Sequence, residues 1–266
     1  MKFFLNASFI AILFLWAAPA SSAEKTGGGG TAVSPQEAAQ VLYDFREYVD
    51  VKSNLSPGEE QRLFRRLFPE YLKRGQDCDF ENFKFGENGV EEDHKTGQFA
   101  PFVDSVAHGA FTGPGRKETA YLVRMGECHA GHGFQTQRLV VIAGNGVVAQ
   151  PEVPEILIRK ISDLDGDGVQ ELLLEGIYTN MGETYTYARL VGLLENRLKV
   201  IKDFKQVGFE FCEEGRSDGT IRATVITYQP KGAGMMPEFQ SNSYEAKCPA
   251  QGAKAQFKPT DKAMNK

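Results

Sequence analysis

After its first eighteen residues this chain has no apolar run long enough to cross a bilayer, and it has no excess of positive charge. The formal balance is −5, with Lys and Arg scattered along the sequence, so there is no broad electrostatic footprint for nucleic acid. There is no HExxH pair, no GxSxG elbow, no phosphate-binding glycine loop and no Rossmann fingerprint. The common hydrolytic and nucleotide-binding chemistries therefore have no local signature. Cysteine is sparse: Cys78, Cys128, Cys212 and Cys248 are the only four. None of their spacings forms a zinc knuckle or a CxxC redox pair.

The apolar segment that does exist is at the start. Lys2 precedes a stretch from Phe3 to Ala18 that is apolar apart from Asn6 and Ser8. Ser21-Ser22-Ala23 then supplies small residues of the kind a signal peptidase cuts. Residues 1–23 read as a signal peptide, and no cysteine lies nearby to take a lipid anchor. Cleavage removes Lys2 and moves the formal charge from −5 to −6. The mature chain is expected to be secreted or periplasmic, without a membrane span. An even cysteine count fits disulfides in such a compartment. Pairing sequential neighbours closes the smaller loops and gives Cys78–Cys128 and Cys212–Cys248.

Residues 24–33, with Gly27 to Gly30, form a flexible leader. Residues 34–78 read as helical. Ser34-Pro35-Gln36-Glu37 and Ser56-Pro57-Gly58-Glu59 each place Ser at N-cap, Pro at N1 and Glu at N3. Val41, Leu42, Phe45 and Tyr48 would share a face of the first helix, and Leu63, Phe64, Leu67 and Phe68 a face of the second, which Pro69 ends.

From residue 79 to 248 the period changes. Short β-branched and aromatic runs alternate with Gly and Asn turns, including Gly144-Asn145-Gly146 and Glu195-Asn196. Eight strands are expected: Thr119–Val123, Arg138–Ala143, Glu155–Ile161, Glu171–Ile177, Thr184–Leu194, Arg197–Phe204, Thr220–Tyr228 and Glu238–Ala246. No helical pattern separates them, which favours an antiparallel meander. The tail, residues 249–266, is polar and rich in lysine, and reads as disordered.

The segment Asp163-Leu164-Asp165-Gly166-Asp167-Gly168-Val169-Gln170-Glu171 carries the strongest chemical signal. Two carboxylates about 4 Å apart repel by roughly 1 kcal/mol in water and about 4 kcal/mol near a protein surface. Four so close together call for a hard cation, and Ca²⁺ takes six to eight oxygens in flexible geometry. An EF-hand does not fit, because counting from Asp163 puts Leu174 where the closing Glu belongs. A shorter loop does fit: Asp163, Asp165 and Asp167 give carboxylates, Val169 its carbonyl, and Glu171 closes the site. Gly166 and Gly168 allow the backbone to wrap.

On these residues the chain resembles the FG-GAP or VCBS repeats of integrin α-subunit N-terminal domains, built around a D-x-D-G-D-G-x-x-D-L loop between two propeller strands. Glu171 stands where the last Asp of that pattern is usual. The resemblance implies a Ca²⁺ held by Asp163, Asp165, Asp167, Val169 and Glu171. It also implies a mainly β domain, blade-like or a partial propeller, with a small helical N-terminal region.

A degenerate copy lies fifty-three residues earlier. Gly113, Gly115 and Glu118 match Gly166, Gly168 and Glu171, and Phe111 matches Leu164. Ala110, Thr112 and Pro114 stand where the aspartates should be, so this copy is expected to bind no ion.

The Glu127-Cys128-His129-Ala130-Gly131-His132 segment offers a second metal reading, with Cys128, His129 and His132 as zinc or copper ligands. The favoured function is a non-enzymatic calcium-binding module that contacts a protein or glycan, since family members often act in adhesion. The alternatives are a secreted or envelope hydrolase with a supporting calcium site, and a transition-metal-handling protein.

Overall fold

The Ser56-Pro57-Gly58-Glu59 start behaves as its chemistry requires. In the computed structural model, helix α1 spans Pro57–Leu67, with Ser56 as N-cap. Glu59 Oε2 accepts from the Ser56 backbone N–H at 2.9 Å, and Ser56 Oγ accepts from the Glu59 N–H at 3.4 Å. These two bonds satisfy amides that a helix start otherwise leaves bare. The structure describes residues 38–47, 51, 53–69, 101–124, 137–212, 219–250 and 253–261, all within one compact unit. Among them no helix is long and apolar enough to cross a membrane.

The other proposed helix is not there. Gln40–Asp44 form strand β1, antiparallel to a later strand through Gln40↔Tyr228, Val41↔Thr227, Tyr43↔Ile226 and Asp44↔Val225. Leu42 is buried while Val41 is 54% exposed, so neighbouring residues face opposite ways as in a strand. The apolar spacing suits a helix locally, but an open ladder edge supplies backbone partners that outweigh that preference. Ser34 to Glu37 and Tyr48 lie outside the described residues.

Two antiparallel sheets make up the rest. The smaller contains β2 (Phe102–Gly109), β3 (Glu118–Arg124), β4 (Gln137–Ala143) and β5 (Gly146–Ala149) in chain order, with β6 (Glu152–Val153) also on β4. The larger runs β7 (Leu157–Ser162), β8 (Glu171–Asn180), β9 (Glu183–Leu194), β10 (Arg197–Phe211), β11 (Thr220–Gln229), β12 (Glu238–Lys247) and β13 (Lys258–Pro259), with β1 on β11. It curls into a half-barrel. The mainly β, antiparallel expectation holds. All eight expected strands are present, several longer than anticipated. Glu195 and Asn196, at φ 50° and 63°, close the β9–β10 hairpin as the two positive-φ residues of a tight turn.

Part of the tail is ordered, contrary to expectation. Lys258–Pro259 pair with Tyr244 and Glu245 of β12 and cover part of an otherwise open edge.

Burial divides into three clusters. Ala120, Leu122, Leu139 and Val141 of the small sheet face Ile158, Leu172, Leu174, Val191 and Leu193 of the large one. Leu63, Phe64 and Phe68 of the helical segment cover the outer face of the small sheet, against Val103, Val123, Val140 and Ile142. Leu42, Leu173, Leu190, Phe204 and Ile226 fill the curl of the large sheet. Leu172 and Leu174 point to the first cluster and Leu173 to the third. The triple-leucine run is therefore a strand buried on both faces. Between the sheets the Ile158 N–H donates to Ser105 Oγ at 2.9 Å, joining β7 to β2.

Cys212 and Cys248 form a disulfide, as the smallest-loop pairing anticipated, with Cα atoms 5.8 Å apart. It ties the end of β10 to the end of β12. Cys78 and Cys128 lie outside the described residues. The closed loop of 36 residues should stabilise the fold by roughly 4 kcal/mol in the chain-entropy view. A Cys212→Ala/Cys248→Ala variant is expected to unfold at a clearly lower urea concentration than the parent chain. Adding reductant should then shift the parent midpoint toward that of the variant.

Candidate metal centre

The acidic loop is the connection between β7 and β8, opening after the Ser162↔Glu171 pair. Its aspartates fold it through their own side chains. Asp163 Oδ1 accepts from the Gly166 N–H at 2.8 Å and its Oδ2 from the Gly168 N–H at 3.0 Å. Asp165 Oδ1 accepts from the Asp167 N–H at 3.2 Å, and Asp167 Oδ1 from the Val169 N–H at 2.7 Å. Gly166 and Gly168 take φ of 73° and 84°, conformations that a side chain would strain. One carboxylate oxygen from each of Asp163, Asp165 and Asp167 lies within 4.8 Å of the other two. Among the described residues no Lys or Arg pairs with any of the three.

Glu171 stands behind this group, buried at the head of β8. Its Oε2 accepts from the Leu164 N–H at 2.9 Å, so the carboxylate clamps the first turn of its own loop. Burial pushes the Glu171 carboxyl up to about 7, and the negative charges of Asp165 and Asp167 add to the rise. The structure thus brings three of the five proposed ligands together as a converging set. Glu171 adjoins them as a clamp, and Val169, half-buried, closes the loop.

The fifty-three-residue copy has the same construction. It joins β2 to β3, and its Gly109↔Glu118 pair is the counterpart of Ser162↔Glu171. Glu118 Oε2 accepts from the Phe111 N–H at 2.6 Å, as Glu171 does from Leu164, and also from the Thr112 N–H at 2.8 Å. Gly115, like Gly168, has positive φ, at 70°. Where the aspartates are missing, protein groups occupy the loop. The Thr112 hydroxyl donates to Glu118 Oε1, and the Arg116 guanidinium donates to Thr112 Oγ1 at 2.9 Å while lying 3.9 Å from Glu118. The copy carries its own cation; among the described residues the acidic loop has none.

The two loops meet. The Ala110 N–H donates to Gln170 Oε1 at 3.0 Å, and the Gln170 N–H donates to the Ala110 carbonyl at 2.7 Å. On a third side the Gly234 N–H donates to the Asp165 carbonyl at 2.6 Å. Gln170 is not among the ligand positions that the spacing of the loop picks out. No spacing rule announces that its amide bridges to a loop sixty residues away.

The donor set fits a hard divalent cation. The converging atoms are all carboxylate oxygens, and each carboxylate has lone pairs beyond those engaged by backbone amides. Cys128, His129 and His132, the alternative ligand group, lie outside the described residues. No protein-family model matches this chain, and no curated protein or solved structure matches it.

Two outcomes follow. With Glu171 raised to about 7 when folded, against about 4.3 when unfolded, the folded chain holds the extra proton between those values. Its stability in chelator is expected to be greatest below about pH 4.3 as far as this group is concerned, and to fall as pH rises through 7. Glu171→Gln should flatten that slope in urea titrations at several pH values. Separately, Gln170→Ala leaves the half-buried Ala110 N–H without its side-chain partner and should cost about 0.5–1.5 kcal/mol, more than Lys199→Ala at an exposed position of β10.

Proposed function

We propose that this chain is an exported calcium-binding protein with an FG-GAP/VCBS-like domain. It acts as a non-enzymatic binding module for a protein or glycan, and its ion is mainly structural. The observation that carries the reading is the aspartate triad: three carboxylate oxygens within 4.8 Å of one another with, among the described residues, no basic side chain paired to them. The duplicated strand–loop–strand unit supports the family resemblance, because register and clamp recur fifty-three residues apart.

Asp163, Asp165 and Asp167 would hold the ion, with Val169 and Glu171 completing the pattern the resemblance implies. Calcium supplies positive charge that cancels carboxylate repulsion. The remaining work is done by the chain. Backbone amides hold the aspartates in a fixed arc, Glu171 pins the loop to β8, and Gln170 fastens it to the copy loop. The Cys212–Cys248 bridge and the apolar leader of residues 1–23 support placement outside the cytosol, secreted or periplasmic.

The test is thermal. An ion at about one hundred times its Kd adds about 2.7 kcal/mol. For a chain of this size that amounts to roughly 5–10 °C in Tm. The mature protein is expected to melt higher in calcium than in chelator by about that margin. Asp165→Ala/Asp167→Ala should abolish the difference. Equal melting temperatures of the parent chain in calcium and chelator would refute the reading.

A further inference from the structure

A second candidate site lies on the outer face of the small sheet and does not depend on the acidic loop. There α1 and β3 border a cleft of about 390 Å³. Arg62 and Arg66 reach it from successive turns of the helix, and Lys117 from the head of β3. Leu63, Tyr121 and Ile142 form its apolar floor. The volume falls within the range of small-molecule pockets.

The charge distribution is the informative part. The chain is acidic overall, at −5, yet three cations converge here. Among the described residues none of the three forms an ion pair. The single acid in the lining, Glu59, accepts from the Ser56 N–H at 2.9 Å and the Ser56 hydroxyl at 2.6 Å and also feels the charge of Arg62 one turn along, which leaves Arg66 and Lys117 as the cations of the cleft without an acid beside them among the described residues. Basic residues in a last helical turn complement the helix dipole, which accounts for Arg65 and Arg66 alike. Arg62 faces Glu59 one turn earlier, but neither effect accounts for Lys117 on another element. Arg65 shares that last turn but does not line the cleft, and so serves as an internal control.

We propose that this cleft binds a small sugar-sized molecule carrying one phosphate or sulfate ester. The arginines and Lys117 hold the anion, and Tyr121 with the apolar floor covers the body of the ligand. Guanidinium groups match the oxygens of such esters by forked, charge-assisted hydrogen bonds.

The experiment is calorimetric titration of the full mature chain, at low ionic strength, with glucose 6-phosphate, glucose 6-sulfate, glucose and inorganic phosphate. Binding of an ester but not of glucose is expected, and the tighter of the two esters names the group. Inorganic phosphate, which leaves the floor uncovered, should bind at least about ten-fold more weakly than the better ester. Arg66→Ala/Lys117→Ala should lower affinity by at least about ten-fold with an unchanged melting temperature. Arg65→Ala should change it by less than about two-fold. Raising ionic strength from about 0.05 to about 0.5 M should weaken binding. Absence of ester binding, equal binding of glucose, equal binding of inorganic phosphate, or an equal loss in Arg65→Ala overturns the proposal. If the double variant melts early, Arg66→Lys/Lys117→Arg, which keeps the charge, must retain most of the affinity or the proposal falls.

Discussion

Two buried glutamates, Glu118 and Glu171, each reach back to an amide at the start of the loop that precedes them. A carboxylate out of water is costly unless hydrogen-bonded or neutralised. Each clamp therefore makes demands on its surroundings. At Glu118 the demand is met within the protein, by two backbone amides, the Thr112 hydroxyl and the nearby Arg116. At Glu171 three further carboxylates stand in front, and among the described residues no basic side chain is paired with them. The same local architecture is thus built once with an internal cation and once with a net negative cluster. The difference between the two copies is the physical basis of the calcium reading.

The position of the acidic loop makes its order matter beyond itself. It sits at the head of β8, whose leucines are buried on both faces. It is also bonded to the copy loop through Ala110 and Gln170, and to Gly234 in the connection between β11 and β12. The small sheet, the large sheet and a far hairpin therefore share one contact region. A structural ion there would act on the junction of several elements rather than on an isolated surface turn.

Much of this was legible in the chain. The eight expected strands follow from alternating β-branched and aromatic residues, because period two is what a pleated sheet requires. The capping box at Ser56 and the turn at Glu195-Asn196 are local chemistry and appear as read. The smallest-loop pairing of Cys212 with Cys248 also holds. Misreadings arose where an element depends on a distant partner. Val41, Leu42 and Phe45 have helical spacing, yet an open stretch of β11 draws Gln40–Asp44 into its ladder. Lys258–Pro259 look like solvated tail, yet an edge of β12 captures them. Backbone hydrogen bonds to a remote strand leave no mark in local composition.

The sequence by itself determined the acidic loop, its glycines and the fifty-three-residue echo, because these follow from residue types at fixed spacing. Tertiary structure alone decided that Glu171 faces inward as a clamp while the aspartates converge outward. It alone decided that the two loops lock together through Gln170, and that Arg62, Arg66 and Lys117 share a cleft. The reason is geometric. Spacing along a chain fixes which atoms a segment can offer its neighbours a few residues away, whereas convergence of groups from separate strands and helices depends on how whole elements pack.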